Sequence, residues 1–323
     1  MAETLITQFV HKERGVIMYT DIGTILRDAA ANHYGVIACL PVNMEVVRGA
    51  IAAANEKKAP LIFISGQNSS LQHANGELLV ELIKIMANKT QSPIAMMLDH
   101  GSKYERITYA FRNGYSSIMF DGSALPMDEN IQKTKEVVKL CHMHGIGVEG
   151  ELGHVGQAAN NDDKDESMYT DPKDAAYFVQ QTNVDCLAVA VGTAHGEYEK
   201  GYVPHINFDR IREIKEATHG MPIALHGGSG SGDENIQKAV AAGINKINVA
   251  TDVGNCCRDY LAKTLAADPK INYVALMMGM EKAVKSFIMH WIDLSGSADT
   301  SDHFRIPDTL NTVLERSIVG DGE

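Results

Sequence analysis

The stretch Ile94-Ala95-Met96-Met97-Leu98-Asp99-His100-Gly101 decides how the chain is read. Its apolar part does not alternate with polar residues, which is the pattern of a strand buried on both faces, as parallel strands are. It then ends on a carboxylate, an imidazole and a glycine. The same arrangement recurs along the chain. Apolar runs over 35–42, 60–65, 94–99, 116–122, 145–151, 186–192, 222–227 and 246–252 predict strands, and most finish on polar or titratable residues.

Helical periodicity fills the intervals. Leu78, Leu79, Leu82, Ile83 and Met86 fall on one helical face; Ile131, Thr134, Val138 and Cys141 fall on another, with Asp128 and Glu129 in its first turn. Asn113-Gly114, His144-Gly145 and Ala242-Gly243 supply residues suited to the left-handed turn that ends a helix. About eight strand–helix units predict a (β/α)8 TIM barrel. A doubly wound open sheet is the competitor, but the GxGxxG turn expected after its first strand does not follow Val42. What remains is a helix predicted over 21–32, placed to plug the barrel bottom, and a C-terminal extension. That tail, 299–323, is polar apart from a short helical pattern over 309–318. The expected organisation is a single α/β domain over 1–323, with its barrel core at about 35–298.

Composition narrows the function classes. With 41 Asp+Glu against 29 Lys+Arg, the net charge of −12 lacks the basic footprint that nucleic acid or an anionic membrane surface attracts. The five cysteines are scattered and show no CxxC spacing, so neither a disulfide framework nor a thiolate zinc site is expected. Lys12, Glu13 and Arg14 interrupt any signal-peptide-like apolar run, and no stretch reaches the ~18–20 apolar residues of a membrane span. A cytoplasmic location is the expectation.

In a barrel, the C-terminal ends of the strands share one face, and chemistry is built there. His100, His195 and His226 each fall at such an end, and three imidazoles with an open position suit a catalytic divalent metal. His33, His73, His142, His144 and His219 fall on predicted helices or their ends and read as structural or solvated. Asp99, beside the first of the three strand-end histidines, reads as a general acid/base. Asp121 reads either as a partner orienting a histidine ring or as a plain turn former. The segment His226-Gly227-Gly228-Ser229-Gly230, with Asn248 and Thr251, lies after strands seven and eight, where this fold holds phosphate on backbone N–H groups and a helix N-terminus.

Taken in order, Asp99-His100-Gly101, Ser117-Ile118-Met119-Phe120-Asp121-Gly122-Ser123, Val148-Glu149-Gly150-Glu151-Leu152-Gly153, Gly192-Thr193-Ala194-His195-Gly196, His226-Gly227-Gly228-Ser229 and Asn248-Val249-Ala250-Thr251-Asp252 resemble the class II, zinc-dependent fructose-bisphosphate/tagatose-bisphosphate aldolase family. The resemblance runs from about Asp21 to Ala298. It implies that His100, His195 and His226 hold Zn2+, and that Glu151 serves an alternative metal position. It also implies that Asp99 exchanges the proton of the substrate C4 hydroxyl. Gly196, Gly227, Ser229 and Thr251 would hold a phosphate, and Asn248 would contact the dihydroxyacetone part. A monovalent cation (Na+ or K+), dihydroxyacetone phosphate as a partner, and a homo-oligomer (dimer or tetramer) also follow from the resemblance. The activity implied is that of an aldehyde-lyase on a phosphorylated ketose.

Three departures accompany it. The family's loop glutamate aligns with Ala159, leaving Asp162, Asp163, Asp165 and Glu166 as candidate substitutes. The usual strand-one asparagine aligns with Leu40, and the arginine segment for the distal phosphate has no match around 269–280. Lys246 is read as opening strand eight and facing the barrel bottom, away from chemistry. The competing reading is a sugar-phosphate-binding barrel, non-catalytic or of altered specificity, that has lost the usual base. A metal-dependent hydrolase is a third reading, but it would place a His-x-His pair in strand one, and 35–42 has no histidine.

Overall fold

Each apolar run becomes a parallel strand. In chain order, β1 (Val36–Cys39), β2 (Leu61–Gly66), β3 (Ile94–Gly101), β4 (Ser117–Phe120), β5 (Gly147–Leu152), β6 (Cys186–Val189), β7 (Ile223–Leu225) and β8 (Ile244–Val249) pair consecutively. Pairing of β8 with β1 closes the barrel. The computed structural model describes residues 18–66 and 73–303. The helical pattern expected over 309–318 lies outside the described residues.

The helices are α1 (Ile22–Ala31), α2 (Met44–Lys57), α3 (Gly76–Ala87), α4 (Tyr104–Arg112), α5 (Met127–His142), α6 (Pro172–Thr182), α7 (Phe208–Ala217), α8 (Asp233–Ala242), α9 (Thr251–Ala267) and α10 (Tyr273–Ser295). Local chemistry sets their ends. Asp21 and Asn43 accept from backbone N–H groups two or three places into α1 and α2, and Asp171 does so for α6, which has proline in its first turn. The predicted stops hold: α4, α5 and α8 end just before left-handed Gly114, Gly145 and Gly243.

Strand alternation sorts the core into two layers. Ile37, Phe63, Met96, Ile118 and Leu187 point outward into the layer between barrel and helices. Ala38, Ile62, Ala95, Met97, Met119, Cys186, Ala188 and Ala224 point inward, where they meet Ile22, Ile25, Leu26 and Ala29 of α1. The front helix therefore plugs the bottom as expected, and the Ile22 amide donates to Ser117 Oγ at the start of β4 (2.8 Å).

The differences from expectation lie at strand ends. Strand β8 starts at Ile244, so Lys246 is its third residue and not its first. Lys246 shares the inward face with Asn248, and the expectation that it faces the bottom is corrected: it is fully buried inside the barrel. Thr251 and Asp252, read as the end of strand eight, lie in the first turn of α9. Helix α10 places Trp291 in the barrel–helix core, with Phe287 and Met289 packed against the same layer. Among the described residues, no helix is long and apolar enough to cross a membrane.

Candidate metal centre and active site

Adjacent strand residues normally face opposite sides, so Asp99 and His100 would not both reach the barrel mouth. The register between β3 and β4 shifts between Leu98 and Gly101, and His100 adopts a left-handed backbone (φ 52°). This bulge re-aims the imidazole, a device common beside active sites. Gly101 permits it, because a Cβ there would lie 2.8 Å from the Met119 carbonyl oxygen. Asp99 Oδ1 accepts from Asn248 Nδ2 (3.2 Å), while His100 Nε2 lies 3.0 Å from His226 Nδ1. His226 continues the inward face of Ala224 and is fully buried. Gly227, at φ 64°, lets the chain turn there: a Cβ would fall 2.3 Å from the Ala194 carbonyl oxygen.

The three predicted histidines converge, and their ligand-capable atoms all lie within 4.8 Å of one another. Each ring's far nitrogen explains which atom is left for the centre. His100 Nδ1 donates to Asp121 Oδ2 (2.8 Å), and His226 Nε2 donates to Glu149 Oε1 (2.8 Å). That leaves His100 Nε2 and His226 Nδ1 facing each other, and in His195, the third member of the group, Nε2 is buried with no hydrogen-bond partner. Two lone pairs at 3.0 Å require a positive charge between them. Without a metal, a proton supplies it: burial opposes a charged His100, but Asp99, Asp121 and Glu151 outweigh that and push its pKa up to about 10. Burial and the neighbouring His100 charge lower His195 to about 4. The donor set thus fits a divalent ion that accepts imidazole nitrogen.

The carboxylates divide by surroundings. Burial would raise Asp99, but His100, His226 and Lys246 hold it below the usual range. Asp121 is also held low, because the His100 hydrogen bond and charge outweigh its burial. It takes both roles open to it in the sequence, orienting His100 through Oδ2 and accepting the Ser123 amide and hydroxyl through Oδ1. Glu151 is buried on the inward face of β5, and its pKa rises to about 8 through burial and the charge of Asp121. Its Oε2 has no hydrogen-bond partner and lies 3.6 Å from His100 Nδ1; with His100 and Asp121 it forms a second group able to hold a metal.

The predicted anion loop lies beside this centre. The Gly228 amide bonds to the Asn248 carbonyl (3.1 Å), and Ser229 Oγ accepts the Asp252 amide (3.2 Å), joining the glycine loop to the N-terminus of α9, where Thr251 sits. Gly196 is exposed next to His195, with open space where a Cβ would be. Asn248 Oδ1 is buried without a partner.

The four loop acids separate clearly. Ala159 is exposed in a short 3-10 turn. Asp162 accepts the Gln157 amide (2.7 Å), Asp165 caps the turn at Ser167, and Glu166 is exposed. Asp163 alone of these four is buried, and Tyr202 donates its hydroxyl to it. The loop is docked beside His195, whose amide donates to the Gly156 carbonyl (2.8 Å) and whose carbonyl accepts from Ala158 (2.9 Å).

Sequence reasoning gave no role to His154 or Glu149 and read Lys246 as lying away from the chemistry. His154 is exposed near Ser123 Oγ (3.5 Å), and its place directly after Glu151-Leu152-Gly153 was the available signal. Glu149 and Lys246 form a fully buried ion pair (2.9 Å) below His226; inward parity with Glu151 and Asn248 was the signal there.

The family model for class-II fructose-bisphosphate aldolase matches residues 20–300. The chain is 33% identical to the YdjI aldolase from Escherichia coli, covering 88% of this chain and 99% of that one at a TM-score of 0.76. It is 25% identical to a Coccidioides immitis protein assigned as a fructose-1,6-biphosphate aldolase (86% and 97% covered, TM-score 0.74). The fructose-bisphosphate aldolase from Campylobacter jejuni, 17% identical, shares the fold (87% and 96% covered, TM-score 0.72). The chain belongs to the class-II fructose-bisphosphate aldolase family.

Proposed function

We propose that the chain is a zinc-dependent aldehyde-lyase that makes and breaks a phosphorylated ketose through dihydroxyacetone phosphate. The observation that carries this reading is the convergence of His100 Nε2, His226 Nδ1 and the partnerless His195 Nε2 at the mouth, beside Asp99. Zn2+ held by these nitrogens would act as a Lewis acid, polarising the substrate ketone and stabilising enediolate charge. The protein's own groups do the rest. Asp99 is ionised at neutral pH, so in cleavage it accepts the C4 hydroxyl proton and in synthesis returns it. The amides of Gly196 and Gly227, with Ser229 and Thr251 at the start of α9, hold the phosphate without a basic side chain, which reconciles an anionic substrate with a net charge of −12. The free Asn248 Oδ1 takes a substrate hydroxyl, and Glu151 offers a second metal position. A monovalent cation near the phosphate belongs to the same reading. Asp163, as the buried loop acid, is assigned the proton-abstracting role left open by Ala159.

A second reading, a sugar-phosphate binder without turnover, is favoured by Ala159 alone. One experiment separates the two. Zinc-loaded protein incubated with dihydroxyacetone phosphate in D2O is expected to exchange a single C–H stereospecifically. A stoichiometrically zinc-loaded protein that binds the phosphate but exchanges nothing would be a binder.

A further inference from the structure

Below the three histidines lies a buried polar chain. Lys246 Nζ is 2.9 Å from Glu149 Oε2 and 3.1 Å from Oε1, and Glu149 Oε1 is 2.8 Å from His226 Nε2. All three side chains are fully buried. Oε2 lacks a well-angled hydrogen bond, so its partner is the lysine's charge. The surrounding inward positions, Ala38, Ala188, Ala224 and Cys186, are small and leave room for these two long side chains. Apolar residues would fill that layer without desolvating two charges, so the pair is a costly choice for stability alone. Beyond Lys246, Glu149 meets the Cys186 thiol and the ring of His226.

We propose that Lys246 is a positioning residue for the metal site: through Glu149 it fixes the His226 ring with its proton on Nε2 and its Nδ1 lone pair aimed at the mouth. The chemistry is one of inventory. An ionised carboxylate only accepts, so His226 Nε2 must donate, and a neutral imidazole with that proton keeps Nδ1 free. Lys246 supplies the counter-charge without which a carboxylate at this depth is unsupported. It is not a nucleophile, because Glu149 and Asp99 overcome burial and keep its ammonium protonated. The parity of β8 places Lys246 one inward position below Asn248, which makes it the floor of the site.

The proposal rests on the metal reading above, so its first test is made without metal. In chelator-treated full-length protein with 15N-labelled histidine, NMR is expected to show His226 protonated at Nε2. An Nδ1–H tautomer would overturn the proposal, even if the protein binds zinc normally. Conversely, an Nε2–H tautomer in a protein that takes up no zinc would sink the metal reading and leave the positioning intact. The second test uses Lys246→Gln, Glu149→Gln and their double variant, each checked for folding by circular dichroism. Competition with a chromophoric chelator is expected to show zinc affinity weakened by ~10–100-fold in each single variant, the usual cost of losing a residue that orients a ligand. The double variant should be no weaker than the poorer single one. Unchanged affinity in folded Lys246→Gln, or losses that multiply in the double variant, would overturn it. If the variants fail to fold, an Nδ1–H tautomer in the wild type would still overturn the proposal.

Discussion

The two ends of the barrel are built to opposite rules. At the bottom, α1 is sealed by Asp21, which caps it, and by Ser117, which accepts its first amide. Asp185 gathers Arg27 (3.1 Å), His142 (2.8 Å) and the Val148 amide (2.8 Å). Among the described residues, the bottom leaves two partnerless buried hydroxyls, on Thr20 and on Ser301 beside Lys58. The mouth instead leaves an imidazole nitrogen, a carboxylate oxygen and an amide oxygen without partners, on His195, Glu151 and Asn248. Buried polar groups are normally satisfied, so a cluster of exceptions marks the end kept for ligands.

That contrast can be broken from either end. His195→Ala should lose zinc by more than the ~10–100-fold cost of an indirect change and abolish C–H exchange. Its metal-free thermal midpoint should fall less than that of Ile25→Ala, since the removed nitrogen had no hydrogen-bond partner and only ring contacts are lost; a larger fall would mean the mouth is structural. Asp163→Asn should slow exchange by ~100-fold or more, as loss of a general base does, while Asp162→Ala, Asp165→Ala and Glu166→Ala stay near wild type. Equal rates in all four would place the base elsewhere. At the bottom, Ile25→Ala should cost ~2–5 kcal/mol in urea unfolding, because Ile25 is fully buried between helix and barrel, and leave zinc affinity unchanged. Asp21→Ala removes one cap and should cost ~1 kcal/mol.

The smallest effect is a pH dependence. The Asp185 hydrogen bond raises the pKa of His142 above its ordinary 6.5. Its stabilisation is therefore full below pH 6.5 and is lost as pH rises through the raised folded value. His142→Gln should cost ~0.2–1 kcal/mol at pH 6 and less at pH 9, as suits a half-exposed pair. A cost that grows with pH would contradict the assignment.

How much could be read beforehand follows the same division. Non-alternating runs such as that ending at Leu98, and stops such as Gly114 and Gly145, made the barrel legible, because burial on both faces leaves a strong pattern. The three histidines were legible because strand ends share a face. The aim of His100 was not: it depends on a bulge set by pairing with β4 and by the room Gly101 provides, and both are tertiary. Lys246 was misplaced because strand β8 begins two residues earlier than its apolar run shows, and a shift of that kind changes depth while keeping parity. The Asp163–Tyr202 contact joins two loops, where no periodicity operates.

The central claim is that the mouth holds a divalent ion on three specific nitrogens. An anomalous difference map at the zinc edge, from crystals of the zinc-loaded protein, tests it most directly. The account predicts one strong peak about 2.0–2.1 Å from His100 Nε2, His195 Nε2 and His226 Nδ1, the usual zinc–imidazole distance. Zinc located only on exposed histidines such as His33 or His219, with nothing between these three, would contradict it.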